Sequence, residues 1–254
     1  MYFDTHAHYD DARFDADREA VLAALPDQGV SLVLNPGCDG PSSEMALGFA
    51  DRYSHVYAAV GWHPQQAASF TPDSLNQLRT WAQHPKVRAI GEIGLDYYYD
   101  DGAPHALQHQ VFRAQLELAR ELDLPVIVHD RDAHGDCLAI VREYPGLLGV
   151  FHCYSGSAEM ARQLLDLGWY LSFTGSITFK NARKAPEVLA LCPLDRMMLE
   201  TDAPYLSPEP FRGKRCDSSL LPYTARRIAE VKGVSLETVA AATLDNGRRF
   251  FRIP

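Results

Sequence analysis

Pro125-Val126-Ile127-Val128-His129 and, further along, Leu148-Gly149-Val150-Phe151-His152 are two apolar runs that each end on a histidine. Residues 134–144 between them carry apolar side chains at helical spacing, so the segment reads as strand, helix, strand. Two strands joined through a helix lie parallel, because the crossover returns the chain to the same end of the sheet. Both histidines therefore fall at one edge, the edge where strands end.

The alternation runs through the whole chain. Strand candidates are residues 2–8, 32–35, 56–61, 87–93, 126–129, 148–152, 170–173 and 196–201. Helical patterns occupy 15–25, 42–53, 72–83, 105–122, 134–144, 158–167 and 181–191. Thr71, before a proline at N1, and Ser157 are placed as N-caps, and Gly29 and Gly168 as left-handed C-caps. Eight strands alternating with helices in 254 residues predict an α/β chain with a single domain, residues 1–254, folded as a (β/α)8 TIM barrel with some distortion. The rival is an open doubly wound sheet, which concentrates its site at one switch point. Here the polar groups that end strands come from the first, fourth, fifth, sixth and eighth, and a closed barrel points all of these into one mouth. The irregular stretch 203–222 follows the last strand and is predicted to lie above that mouth, and 223–246 reads as two helices closing the barrel.

Composition excludes several classes. Hydrophobic content of 46% and charged content of 22% are those of an ordinary globular chain. No apolar stretch approaches the ~20 residues of a membrane span, and the N-terminal residues lack the basic and apolar regions of a signal peptide. Five scattered cysteines without a Cys-x-x-Cys pair fit reduced thiols, so a cytoplasmic location is expected, with no membrane and no obligate protein partner. A net charge of −9 argues against nonspecific coating of nucleic acid, so phosphate contacts would have to be local.

Six metal-type side chains end apolar runs in the order His6, His8, Glu92, His129, His152 and Asp202. In a strand the period of two puts His6 and His8 on one face, able to grip a single ion. Asp4 shares that face one layer deeper, as a supporting partner. Glu92 lies in Ala89-Ile90-Gly91-Glu92-Ile93-Gly94-Leu95, where a carboxylate is costly unless it meets a metal or a buried cation. Gly91 and Gly94 suit close approach of the backbone to a ligand. Glu200 shares the face of Asp202 as a second inward acid. Any one of these histidines alone reads as core or surface; together they read as a metal centre.

Four histidines and two carboxylates exceed the three protein ligands typical of one catalytic zinc. A natural division sets His6, His8 and Asp202 on one ion, His129 and His152 on another, with Glu92 bridging. Two divalent ions ~3.5–4 Å apart suit hydrolysis of phosphodiesters, and also of amides or lactones. Glu92 and Asp202 are the candidate catalytic carboxylates, Asp202 as general base or as ligand only. Mixed nitrogen and oxygen donors admit Zn²⁺, Mn²⁺, Mg²⁺, Fe²⁺ or Co²⁺. Substrate contacts are expected from His63, Arg131, Lys180, Arg183, Arg212 and Lys214, which suit phosphate, and from Tyr97, Tyr98, Tyr99, Trp62 and Tyr154, which suit stacking on bases. Cys153 is assigned to packing.

Six segments taken together resemble the TatD family of metal-dependent hydrolases, often described as TatD-type deoxyribonucleases. They are Phe3-Asp4-Thr5-His6-Ala7-His8, Gly61-Trp62-His63-Pro64, Gly91-Glu92-Ile93-Gly94-Leu95-Asp96-Tyr97, Pro125 to His129, His152-Cys153-Tyr154-Ser155-Gly156 and Leu199-Glu200-Thr201-Asp202-Ala203-Pro204-Tyr205. The resemblance implies a TIM barrel, a dinuclear divalent-metal site with the ligands named above, and hydrolysis of DNA. One departure is visible: family members commonly follow Arg-Gly-Lys with an Asn-Glu-Pro-type segment, whereas Arg212-Gly213-Lys214-Arg215 here runs into Cys216-Asp217-Ser218-Ser219.

The expectation is a metal-dependent deoxyribonuclease, exonuclease-like on single strands or frayed ends, since a barrel mouth admits an end more readily than an intact duplex. An amidohydrolase-type enzyme on a small amide, ester or lactone is the alternative. Such enzymes often use a bridging carboxylated lysine, and Glu92 stands where that lysine would be. A metal-stabilised scaffold is the third reading.

Overall fold

Strand and helix alternate through the computed structural model, which describes residues 1–99 and 101–254. The first half runs β1 (Tyr2–Asp4), α1 (Arg18–Ala24), β2 (Val30–Pro36), α2 (Gly40–Arg52), β3 (Val56–Val60), α3 (Pro72–Trp81), β4 (Val87–Asp96) and α4 (His105–Glu121). The second runs β5 (Val126–Arg131), α5 (His134–Val141), β6 (Gly149–Phe151), α6 (Ala158–Asp166), β7 (Tyr170–Phe173), α7 (Ala185–Leu191) and β8 (Met197–Leu199). After a long connection come α8 (Leu221–Lys232) and α9 (Leu236–Phe250). The eight strands pair in sequence order, all parallel. The seam between β1 and β8 is held by backbone bonds just past both strands. Thr5 N–H donates to the Leu199 carbonyl at 3.1 Å, and Ala7 bridges Ala203 in parallel fashion. This is the (β/α)8 barrel, nearly closed.

Each strand sends one side chain into the lower interior. Phe3, Leu34, Ala59, Ala89, Ile127, Val150, Tyr170 and Met198, taken from β1 through β8, form a single apolar cluster. Phe250, Phe251 and Ile253, at the end of α9 and just beyond, complete it from below. The rings of Tyr170 and Phe250 lie 5.2 Å apart, and those of Phe3 and Phe251 5.7 Å apart. Gly247 lets α9 lie this close to β1, because a Cβ there would meet Phe3 Cδ1 at 2.5 Å. With its floor filled by hydrocarbon, the barrel leaves only its upper end for polar groups.

Several boundaries differ from the sequence reading. β1 stops at Asp4 rather than residue 8, because the backbone beyond leaves the regular ladder: Ala7 N–H donates to Leu34 while His8 N–H donates to Ala203. β8 likewise ends at Leu199, with residues 194–196 forming a 3₁₀ turn before it. β4 runs three residues further than expected, since its pairing with β5 continues to Asp96 opposite Arg131. The last helix extends past residue 246 to supply the floor. The caps at Ser157, which accepts from Met160 N–H, and at Gly29 and Gly168, both at positive φ, are as read. Among the described residues no helix is long and apolar enough to cross a membrane.

Replacing Phe250 with alanine should destabilise the fold by about 3–5 kcal/mol, the usual cost of emptying a buried aromatic site. Chemical denaturation followed by far-UV circular dichroism checks this; an unchanged midpoint would mean that the floor does not hold the barrel together.

Candidate metal centre

Above the apolar floor sits a carboxylate that none of the surrounding hydrocarbon can solvate. Glu92 lies in the middle of β4 and is 3% exposed. Its Oε2 is 3.3 Å from His6 Nε2 and 3.4 Å from His8 Nε2. Its Oε1 is 2.7 Å from His129 Nδ1 and 2.8 Å from His152 Nε2. One carboxylate thus addresses two histidine pairs, one with each oxygen. Within the pairs the facing nitrogens are 3.0 Å apart for His6 and His8, and 3.3 Å for His129 and His152. Asp202, from the turn after β8, stands on the His6–His8 side with Oδ1 3.8 and 3.7 Å from their Nε2 atoms. All six strand-end candidates therefore meet in one place.

The backbone arranges this convergence. Asp202 has φ +57, and its N–H donates to the His6 carbonyl at 2.9 Å, so the seam itself holds together the two segments that carry candidate ligands. Asp4, fully buried, lies at the seam. It accepts from Thr201 N–H at 2.9 Å, Thr201 hydroxyl at 2.6 Å and His6 N–H at 3.3 Å. Gly94 serves the neighbouring strand rather than a ligand: at φ +143, a Cβ on it would sit 2.0 Å from the His129 carbonyl oxygen. Gly91 does the same one turn of pleat lower, where a Cβ would meet Ile127 Cβ at 2.7 Å.

An outer layer of acids lies beside the imidazoles, and Asp96 is hydrogen-bonded to His129. Glu200 Oε1 lies 3.5 Å from His152 Nδ1 and accepts Cys153 N–H at 2.5 Å. Asp96 Oδ2 lies 3.1 Å from His129 Nε2 and accepts from Gln65 at 2.9 Å. Asp10 Oδ1 lies 3.8 Å from His8 Nδ1 and is itself held by Asn35 at 2.8 Å. Such carboxylates fix which ring nitrogen faces inward.

Charge follows from this geometry. Burial works against the Glu92 carboxylate, but His152, His6, His63 and His129 around it hold its pKa well below the usual range. Burial also works against charge on His8, yet Cys38, Asp10 and Glu92 carry it well above the ordinary imidazole value. Against the same penalty Glu92 and Glu200 carry His152 well above that value, and Asp96 and Glu92 raise His129. His6, pressed by burial and by the stacked ring of His152 at 3.9 Å, is lowered. Burial raises Asp202, over the opposing histidines, and pushes Asp4 up to about 7.

The donor set fits divalent ions. In each of the groups His6–His8–Glu92, His6–His152–Asp202 and Glu92–His129–His152, one donor atom per residue lies within 4.8 Å of the others. His6 is fully buried with its Nδ1 lacking any hydrogen-bond partner. Ring nitrogens facing one another around shared carboxylate oxygens are an arrangement that cations satisfy and hydrogen bonds alone do not.

The expected substrate contacts fare differently. His63 is drawn into the centre, with Nε2 3.6 Å from Glu92 Oε1 and its ring 4.3 Å from that of His129. Burial, reinforced by His129, lowers its pKa to about 3, so it is neutral. Arg131 stands at the rim with its guanidinium 3.7 Å from the Tyr98 ring centroid. Tyr154 is buried and donates its hydroxyl to the Ser157 carbonyl at 2.7 Å, lining a cavity of about 360 Å³ with Phe179 and Arg183. Arg212 covers the Phe179 ring at 4.3 Å, and Lys214 lies 5.8 Å from the Phe211 ring. Cys38 and Asp10 escaped the sequence reading. Cys38 follows β2, with Sγ 3.8 Å from Glu92 Oε2 and 4.0 Å from His8 Nδ1, and burial pushes its thiol up to about 12. Its position just past a strand end was the available signal.

Comparison with known proteins agrees with this geometry. Residues 3–252 match the family described as TatD related DNase. The chain is 43% identical to the Bacillus subtilis protein named uncharacterized metal-dependent hydrolase YabD, with both chains covered in full. It is 36% identical to the 3'-5' ssDNA/RNA exonuclease TatD of Cronobacter sakazakii, across 98% of this chain and 97% of that one. The crystal structure of YJJV, a TatD homolog from Escherichia coli K12, superposes with a TM-score of 0.93 at 32% identity, covering 100% and 98% of the two chains. Fold, donor cluster and relatives agree, and the chain belongs to the TatD family of metal-dependent hydrolases.

Proposed function

We propose that this protein is a two-metal nuclease that hydrolyses phosphodiester bonds of single-stranded nucleic acid, working from an end. The observation that carries the reading is the split of Glu92 between two histidine pairs, since one carboxylate addressing two donor sets is what a bridged pair of ions requires. The naming of a 36% identical relative as a 3'-5' exonuclease on ssDNA and RNA supports the choice of substrate. His6, His8 and Asp202 would hold one ion, His129 and His152 the other, and Glu92 both, with Zn²⁺, Mn²⁺, Mg²⁺, Fe²⁺ and Co²⁺ all compatible with the donors. Divalent ions in such a pair supply Lewis acidity and make water acidic enough to act as a nucleophile near neutral pH.

The chain's own groups divide the remaining work. Asp202 is the most exposed carboxylate of the centre, with its side chain 17% accessible against 4% for Glu92. It can reach an incoming water and accept its proton at a carboxylate oxygen as the water oxygen attacks phosphorus. Burial raises its pKa, which strengthens it as a base. Glu200 and Asp96 hold His152 and His129 in place while charge shifts at the reacting phosphate. The five thiols are all free, which supports a cytosolic setting.

Metal-stripped protein should regain cleavage of end-labelled single-stranded DNA when a divalent ion is added. Asp202→Asn should then lower kcat by about 10²–10⁴-fold, the usual contribution of a general base. Glu92→Gln should reduce the number of ions bound per chain as well as the rate. Full metal stoichiometry in Glu92→Gln, or normal turnover in Asp202→Asn, would contradict the assigned roles.

Raised pKa values at His8, His129 and His152 keep these rings protonated in the ion-free protein at pH values where free imidazole is neutral. Ions need neutral rings, so binding displaces protons, and affinity should climb with pH through the neutral range and fall together with activity below about pH 6. Calorimetry at pH 7 in buffers of different ionisation enthalpy should register proton release on metal uptake. Binding without proton release would show that these rings are already neutral in the ion-free protein, against the raised pKa values.

A further inference from the structure

Three aromatic side chains are exposed among the described residues, and all three stand on loops at the barrel mouth. Tyr98 is 55% exposed, Tyr99 43% and Tyr205 45%. A large aromatic ring in water is costly to leave uncovered, and its concentration beside a polar centre calls for a ligand with a flat apolar face.

The backbones that carry two of these rings are tied to the centre. Tyr98 comes two residues after Asp96, and its N–H donates to Asp96 Oδ1 at 3.0 Å while Asp96 Oδ2 touches His129. Tyr205 comes three residues after Asp202, and its N–H donates to the Asp202 carbonyl at 2.8 Å. Each ring also carries a guanidinium: Arg131 at 3.7 Å from the Tyr98 centroid and Arg13 at 4.0 Å from that of Tyr205. Arg13 is fixed in turn by a bidentate contact to Asp11 at 3.0 Å through both nitrogens, and the Tyr205 hydroxyl donates to the same carboxylate at 3.0 Å. Tyr99 meets Tyr98 edge-on at 4.9 Å. In the eight-stranded order β4 and β8 are diametrically opposed, so the loops that carry Tyr98 and Tyr205 leave the barrel from opposite strands.

We infer that Tyr98 and Tyr205 are two preorganised stacking platforms for the nucleobases of a single strand, one on either side of the phosphodiester held over the centre. The assignment rests on the nuclease reading above. Rings already ordered by arginine and by their backbone tethers lose little freedom when a base stacks on them, which favours binding. The platforms also suit the charge of the chain. A molecule of net charge −9 cannot attract a polyanion over its whole surface, and stacking supplies attraction that does not depend on charge. Stacking accepts any base and needs bases unpaired, so it selects single strands and ends without reading sequence.

The test uses fluorescein-labelled single-stranded DNA and the same strand made abasic, with the full-length protein. Binding is followed by anisotropy under chelation, so that no strand is cut, and cleavage is followed separately with Mn²⁺. The intact strand should bind more tightly than the abasic one. Tyr98→Ala and Tyr205→Ala should each weaken binding of the intact strand about 5- to 150-fold and erase its advantage over the abasic strand. Tyr98→Trp and Tyr205→Phe keep an aromatic face and should retain that advantage, which separates stacking from loss of fold. If the alanine variants still prefer the intact strand while the parent cleaves it, the platforms are refuted and the nuclease reading stands. If base-dependent binding disappears in the variants but no metal restores cleavage in the parent, the nuclease reading fails and the platforms stand. No preference for the intact strand in the parent refutes the platforms whatever the cleavage result.

Discussion

A single buried carboxylate organises the upper half of this barrel. Glu92 sits where its charge could not survive alone, because an unpaired ion in a low-dielectric interior costs several kcal/mol even after relaxation. Five imidazoles answer that charge: His6 and His8 from the segment after β1, His63 after β3, His129 in β5 and His152 just past β6. In the ion-free protein some of them carry protons, and divalent ions would replace those protons with the same sign of charge. Carboxylate and imidazoles thus satisfy one another directly, so the donor cluster is already assembled before an ion arrives. That constraint reaches into the sheet. For Glu92 to stand between the pairs, β4 and β5 must approach closely, and only glycine at 94 allows the His129 carbonyl so near.

The second constraint lies at the seam. A parallel barrel has to join its first strand to its last, and here the join is made just where three of the metal-type residues sit. Asp4 receives three hydrogen bonds from the segments on both sides of the seam, and Thr5 hydroxyl adds a fourth polar tie, donating to the Leu199 carbonyl at 3.1 Å. The irregular backbone of residues 5–8 and 200–203 gives up ladder regularity in exchange for aiming His6, His8 and Asp202 inward. Closure and the placing of these three candidate ligands fall to the same piece of structure, which is why the strands there are short.

Much of this was legible in the chain. Parallel strands, their order and the six donors could be read because each donor interrupts an apolar run, and such interruptions have few structural explanations. What could not be read was anything set by contact across strands. The alternation rule put His6 and His8 on one side correctly, although the ladder that would justify it ends at Asp4. His63 looked like a rim residue because it follows Trp62 at the end of a strand, and only packing against His129 reveals that it is buried. Asp10 had no local mark, and Cys38 had only its position just past β2; what singles both out is that they lie beside His8. The loop cations were the hardest to place. Arg131 and Arg212 rest on aromatic rings that sequence spacing does not connect to them.

The apolar floor has a consequence for how the molecule is made. The ring of side chains contributed by the eight strands is sealed by Phe250, Phe251 and Ile253, whereas the first metal-type ligand is residue 6. During synthesis the residues of the polar centre, 6 to 202, and the strand-borne half of the floor all precede the aromatic seal that α9 supplies. Until those final aromatic residues leave the ribosome, Phe3, Tyr170 and their neighbours have no partner below and remain exposed to water. An emerging chain of this kind must hold an unsealed barrel for the time needed to translate α8 and α9, and in that interval it is a target for chaperones and for self-association. Vectorial synthesis thus delivers the seal only with α9, after all eight strands that it covers have been made.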